Sequence, residues 1–493
     1  MIDTYIVSTY RPRFCGIAEF SANLIGAFNK YKHGHKDIGN VQVVAIDKRE
    51  DKLNYHKSPE VITKIEQHDE SSWIEAGESI VRRIKDGYKI GRKGIVLSNL
   101  EFGIIGDYGA KQDNLTPFLQ ILKKENIPSI IQLHTLPDPE HPDFNYQLDV
   151  LQRSAKEAKS IAVISKIARE KLLQKPYSIN SEIVQIDHGV RAHQYRKGER
   201  KNIKSKYGLD DLIIVSTLGF NSPNKGRDYA GIAHSEVLKG LSESQRRRVI
   251  YLMVGGYHPD FVKKNNGKDC QEYNEKFVST LEESGLRVRE TKDLKKLEKG
   301  EIEKSDVVIY NKLLSDVQFR DVFTLSDIVI NPTRDRWQVS SGILAEVLGY
   351  GRASISTESL YAKEVMSADS AIIEHIKKGR KLKKEEKKAE TWKESYGIVV
   401  PLLDKKENGS YPKSDSDEKR PIPDIEELAR TENILLHNTH IRRNIENNAR
   451  HKGRRYSWQG IAGDYHLMSQ DLVEGREISE EHFPGLREVE KKD

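Results

Sequence analysis

Short runs of β-branched and aliphatic residues recur at helix-length intervals along nearly the whole chain, and no other feature restricts its fold as much. Residues 5–9, 41–46, 94–98, 129–134, 160–164 and 183–186 make a first series, with a helix-patterned stretch over 18–31 between the first two. A polar, basic stretch at 191–207 breaks the rhythm. It restarts at 212–218 and continues through 249–254, 307–310, 328–331, 353–357 and 397–400. Strands that read as continuous apolar runs are buried on both faces, as in a parallel sheet flanked by helices. Two such series predict an α/β fold of two Rossmann-like, parallel-sheet domains facing a cleft. The first domain covers 1–190, the linker 191–207 and the second domain 208–454. Ligands in open α/β sheets bind outside the carboxyl ends of the strands, so the residues directly after each run are the candidates for function.

Composition removes several function classes. The 493 residues suit two to four domains. Cys15 and Cys270 are the only cysteines, too few for a disulfide framework or a cysteine-rich metal site. No run approaches the ~18–20 apolar residues of a membrane span. The first residues lack a basic, then apolar, leader, so a cytoplasmic location is expected. The formal net charge is +6, and residues 377–388, with eight Lys/Arg and two Glu, account for all of it. That run is read as an exposed loop within a charged insertion at 374–395; the alternative is a peripheral contact to anionic lipid at the inner face of a membrane, or to a polyanionic acceptor. Residues 404–423 read as a second loop, and 476–493 as a charged tail. There is no recognition motif or basic–aromatic interleaving, so no nucleic-acid partner is expected. Nothing in the sequence fixes an oligomeric state.

Five places after strands could carry chemistry. Gly16 lies in a glycine turn at 11–17 that opens a helix, where backbone N–H groups can meet an anion. Asn224-Lys225-Gly226 follows the first strand of the second series and offers an ammonium beside backbone donors. Gln338, Ser340, Ser341, Gly342 and Glu346 follow the run at 328–331; the serines and glycine read as a helix start, and Glu346 falls among Ile343, Leu344, Val347 and Leu348. A carboxylate there is costly unless paired or ligand-bound. His134 and Glu101 each close a strand of the first series. The plain alternatives are tight turns, a solvated lysine, a glutamate on an exposed helix stripe and a structural histidine. GxGxxG, GxxxxGK(S/T) and GxSxG are absent, no cluster has metal-ligand spacing, and no metal site is expected.

Taken in order over residues 5–465, these motifs resemble the retaining GT-B glycosyltransferases of the large family-four type (glycosyl transferases group 1), in a subgroup with Ser-Ser-Gly in the donor site. The resemblance is carried by Arg13-Phe14-Cys15-Gly16-Ile17-Ala18, Glu101-Phe102-Gly103-Ile104, Leu133-His134-Thr135, His188-Gly189-Val190, Asn224-Lys225-Gly226, Ser340-Ser341-Gly342 and the stretch EVLGYGRAS at 346–354. Three positions depart from the family pattern: Gln338 stands for a glutamate, Phe220 for an arginine and Ala353 for a proline. The resemblance implies hexosyl transfer from a UDP- or GDP-sugar to a carbohydrate or lipid-linked acceptor, without cofactor or essential metal. It implies a helix at 455–475 returning to the first domain. It gives Lys225 to the diphosphate, an ionised Glu346 to the ribose hydroxyls, and Asn224, Gln338, Ser340, Ser341, Gly342 and Gly16 to the donor. His134 would face the transferred sugar and Glu101 the acceptor. A non-catalytic nucleotide-sugar-binding subunit, and a GT-B epimerase or phosphorylase, are the competing readings.

Overall fold

The computed structural model describes residues 1–191, 196, 198–294, 304–366, 368–369, 395–404 and 420–483. The chain separates into two units: Met1–Val190 with Trp337–Gly342 and Arg455–Asp493, and Arg191–Arg336 with Ile343–Arg454.

In unit 1, β1 (Ile2–Ser8), β2 (Ile38–Asp47), β3 (Val61–Glu66), β4 (Lys93–Leu100), β5 (Ser129–Leu133), β6 (Ser160–Val163) and β7 (Glu182–Gln185) form one sheet in the order β3-β2-β1-β4-β5-β6-β7. Every pairing is parallel. The strand order reverses at β1, which places the topological switch at the carboxyl ends of β1 and β4. The helix α1 (Gly16–Tyr31) buries Phe20, Leu24, Ile25 and Phe28, a spacing that keeps one face on the sheet. The helix Trp458–Glu474 packs on α1; its Tyr465 hydroxyl bonds Gln132, and His466 Nε2 lies 2.6 Å from Asp37 Oδ2. Gly189 permits that packing, because a Cβ there would lie 2.2 Å from the Trp458 ring. Part of the expected charged tail is docked: Glu480 pairs with Arg169 at 2.9 Å and Phe483 is buried. The remainder, 484–493, lies outside the described residues.

Unit 2 has one sheet in the order β10-β11-β9-β8-β12-β13-β15-β14, again parallel throughout. Its strands are β8 (Ile213–Leu218), β9 (Val249–Val254), β10 (Val288–Glu290), β11 (Val307–Tyr310), β12 (Ile328–Asn331), β13 (Ala353–Thr357), β14 (Ala368–Asp369) and β15 (Ile398–Val400). The switch lies between β8 and β12. Both faces are covered. Tyr251 and Met253 of β9 join one apolar cluster, while Ile250 and Leu252 join the other. That is why such strands read as unbroken apolar runs.

The pattern misses β3, β10 and the two-residue β14, all edge strands; β3 has one fully buried residue and β10 none. The stretch expected to be a linker holds a helix, α6 (Glu199–Lys206), with no buried residue. It is fixed by charge: Lys204 meets Asp327 at 2.5 Å, and Lys206 meets Asp321 at 2.5 Å. An apolar-periodicity reading has no signal for such a helix. Residues 192–195 and 197 of that stretch, 374–394 of the charged insertion (with all of 377–388) and 405–419 lie outside the described residues. Antiparallel strands β16 (Leu402–Leu403) and β17 (Ile422–Pro423) bracket the last of these. Trp337–Gly342, expected in the second domain, group with unit 1. Among the described residues no helix is long and apolar enough to cross a membrane.

Candidate functional site

In unit 2 the chain leaves β8 through Gly219 (φ 113°) and a 3-10 turn, Pro223–Lys225, closed by Gly226 (φ 58°) ahead of α7 (Arg227–Lys239). Glycine is compelled at 226: its conformation is left-handed, and a Cβ would lie 2.3 Å from the Pro332 carbonyl oxygen. The Arg334 N–H donates to the Asn224 carbonyl at 2.9 Å, and the Ser222 hydroxyl to Asn224 Oδ1 at 2.6 Å. This braced turn carries Lys225, which is half-buried and has no hydrogen-bond or ion-pair partner among the described residues. Burial pulls its pKa below the ordinary lysine value; Asp335 opposes this, and Arg227 and Arg420 add to it. A partly desolvated cation with no direct ion pair among the described residues favours an anionic ligand.

Arg227 stands beside it and is not among the sequence candidates. It is fully buried, and its Nη2 donates to the carbonyls of Gly219 and Val254, while Nε and Nη1 have no partner among the described residues. Burial pulls it down to about 10, so it remains charged at neutral pH. It sits in the first turn of a helix most of whose residues are buried.

Glu346 lies in the helix Gly342–Gly349 and is 5% exposed. Its carboxylate takes the backbone N–H of Arg191 at 3.4 Å and lies 3.7 Å from Arg191 Nε. Arg191 is shared with Asp316 at 3.4 Å and lies over the Phe319 ring. Burial raises the Glu346 pKa to about 7, against the pull of Arg191 and with Asp316 adding to the rise. The group therefore holds its proton more readily than a solvated carboxyl, and desolvation is the reason. No bond joins it to the Lys225 turn among the described residues.

In unit 1, Leu100 and Leu133 are register partners, so Glu101 and His134 emerge side by side at the ends of β4 and β5. The Thr135 hydroxyl donates to Glu101. His134 is buried, its Nε2 is 2.6 Å from Asn99 Oδ1, and its ring meets Phe20 edge-on at 4.8 Å. Burial, helped by His188, pushes its pKa down to about 3. It is thus neutral, with Nε2–H donated to Asn99 and Nδ1 left as an acceptor. His188 is pushed down to about 4, again by burial, against the bond to the Gly189 carbonyl. The Ser340 hydroxyl donates to the His134 carbonyl at 2.9 Å. Gln338 Oε1 is buried without a partner among the described residues. Ser341 is half-buried and Gly342 exposed; a Cβ on Gly342 would lie 3.5 Å from His188 Nε2. Gly16 is exposed and a Cβ there would meet nothing within 4 Å, so packing does not demand the glycine. Arg13 is spent on the Ile46 carbonyl and Gln67. Unit 1 thus joins His134, Glu101 and Ser340; unit 2 joins Asn224 and Lys225. Asn99 escapes the sequence because its partner is 35 residues away. Among the described residues no group of three or more His, Cys, Asp and Glu is placed to hold a metal ion.

No family model and no curated protein matches the sequence. Solved structures do. HepE of Anabaena, in complex with UDP and glucose, is similar with a TM-score of 0.61 at 12% identity, over 95% of this chain and 99% of that one. Sucrose-phosphate synthase from Thermosynechococcus elongatus gives 0.62 at 12% identity, over 96% and 100%. A glycosyltransferase from Rickettsia africae gives 0.59 at 14%, over 96% and 99%. The chain has the GT-B fold. The likeness runs through both parallel sheets, and at these identities it is one of architecture.

Proposed function

We propose that this protein transfers a hexosyl group from a UDP- or GDP-sugar to a carbohydrate or glycolipid acceptor, with retention, and with Lys225 rather than a metal ion supplying positive charge. The observation that carries the reading is Lys225: an ammonium with no hydrogen-bond or ion-pair partner among the described residues, on a braced glycine turn at the switch point of a GT-B unit. The UDP held by HepE supports it.

In the reaction the bond from the sugar's anomeric carbon to the diphosphate breaks, a bond to the acceptor oxygen forms, and the acceptor's proton passes to the leaving diphosphate. Negative charge grows on the diphosphate as this happens. A cation already in place, with the buried charge of Arg227 behind it, lowers that barrier and not merely the binding constant. Asn224 and the backbone around Ser341 and Gly342 hold the diphosphate or sugar hydroxyls, and Gln338 uses its unpaired oxygen in the same way. Glu346 accepts from the ribose hydroxyls once ionised. Neutral His134 presents Nδ1 to a hydroxyl of the transferred sugar, and Glu101 orients the acceptor.

The test is incubation of the full chain with UDP-, GDP- and ADP-hexoses and an acceptor panel, reading released nucleoside diphosphate and the product's anomeric configuration. Acceptor-dependent release with retained configuration is expected. Binding without release across the panel favours a non-catalytic subunit; neither binding nor release sinks the reading.

A further inference from the structure

We propose that unit 2 carries a second anion site, for a phosphorylated polyhydroxy compound of sugar-phosphate size, lined by α6, the turn at 210–211 and the helix Thr439–Gly453. It shares no residue with the groups assigned above and does not depend on their roles.

The cavity has a volume of about 550 Å³, well inside the range of about 300–1,000 Å³ typical of small-molecule sites and roomy for inorganic phosphate alone. Five cations line it, Arg200, Lys201, Lys204, Arg443 and Arg450, against three carboxylates. The inner charges are already matched. Arg200 holds Asp327 at 3.2 Å and Glu446 at 2.8 Å, and Lys204 holds Asp327 at 2.5 Å. Lys201 and Arg443 are exposed and have no hydrogen-bond or ion-pair partner among the described residues. They are therefore the cations in surplus.

The surrounding field is also positive. Arg352 is 1% exposed and donates only to carbonyls, those of Tyr350 at 2.9 Å and Thr324 at 3.1 Å among them. Burial pulls it down to about 9, Arg200 and Arg450 adding to this while Glu446 and Asp327 oppose it. A phosphate monoester accepts from guanidinium forks in paired fashion and would relieve that crowding of like charge.

The remaining lining tells which phosphate. Asp210, Asp211 and Asn447 supply oxygen acceptors suited to hydroxyl donors. Among the described residues the lining has no aromatic side chain on which a nucleobase could stack. A sugar phosphate uses both halves of this surface, whereas a nucleotide leaves its base without a platform.

The experiment is titration calorimetry on the full chain with glucose 6-phosphate, glucose and inorganic phosphate, at low and high salt. Glucose 6-phosphate should bind saturably, more tightly than phosphate, with affinity falling as salt rises, and glucose should not bind. Lys201→Glu with Arg443→Glu should weaken glucose 6-phosphate at least tenfold while leaving the thermal unfolding midpoint unchanged. The milder Lys201→Gln with Arg443→Gln should give an intermediate loss, so a folding defect in the first variant does not protect the proposal. Saturable binding that neither pair weakens would place the ligand elsewhere and overturn the site. Binding of phosphate as tight as that of glucose 6-phosphate would overturn the sugar-phosphate assignment, and no binding of either would overturn the whole.

Discussion

At the carboxyl end of β5 the imidazole of His134 is buried and neutral, its pKa pushed down to about 3. At the carboxyl end of β8 the ammonium of Lys225 is half-buried with no ion-pair partner among the described residues, and Arg227 beside it stays charged with a pKa of about 10. The two units share a sheet architecture and a topological switch, yet one presents aromatic edges and hydrogen-bonding groups, the other surplus positive charge. The fold fixes where a ligand approaches; the residues just after each strand decide its chemistry. A neutral imidazole and a half-buried carboxylate suit hydroxyls. A braced lysine suits a diphosphate.

The largest effect should come from the cationic side. Lys225→Ala should lower kcat by roughly 10²–10³-fold, the usual cost of losing one group aimed at developing charge. The same substitution should leave the stability of the fold within about 0.5 kcal/mol, because no partner is lost. A steady-state assay with denaturant melts separates the two.

The next effect tests whether glycines are held by packing or left for a ligand. Gly189→Ala drives a Cβ against the Trp458 ring and should destabilise unit 1 by about 1–3 kcal/mol. Gly16→Ala meets open space and should leave stability near wild type. Equal melting curves for both would break the distinction.

Asn99→Ala frees the His134 tautomer. It should lower kcat/KM about tenfold, near the 0.5–1.5 kcal/mol of one hydrogen bond, with the secondary-structure spectrum unchanged. Unaltered kinetics would make the Asn99 bond merely structural.

The smallest effects are in pH, and their signs differ between units. His134 and His188 are depressed below 6.5, so the unfolded chain takes up protons first as pH falls. Unit 1 therefore loses stability from about pH 6.5 downward. Glu346 is raised from 4.5 to about 7, so its contribution to unit 2 weakens as pH rises between those values. A ligand that bonds its ionised form should bind several-fold more tightly at pH 8 than at pH 6, and Glu346→Gln should flatten that profile.

Much of the fold is legible in the chain because both faces of each sheet are covered. The stretch VIYLMV at β9 has no polar residue to blur it. The elements that escape are those whose stability comes from elsewhere: the half-solvated edge strands β3 and β10, and α6, which is tied down by ion pairs. At the site, strand ends announce His134, Glu101 and Lys225. Asn99 and Arg227 do not announce themselves, since one acts through a partner far along the chain and the other is a charge where a buried helix turn should be apolar. Nor does sequence reveal that Glu346 sits among neighbours whose desolvation raises its pKa.

The most direct measurement is calorimetric titration of UDP, GDP and ADP into the full-length protein and its Lys225→Ala variant. Saturable binding of UDP or GDP at one site is expected in the wild type, weakened at least tenfold by the substitution. No saturable binding of any of the three, or an affinity that Lys225→Ala leaves unchanged, would contradict it.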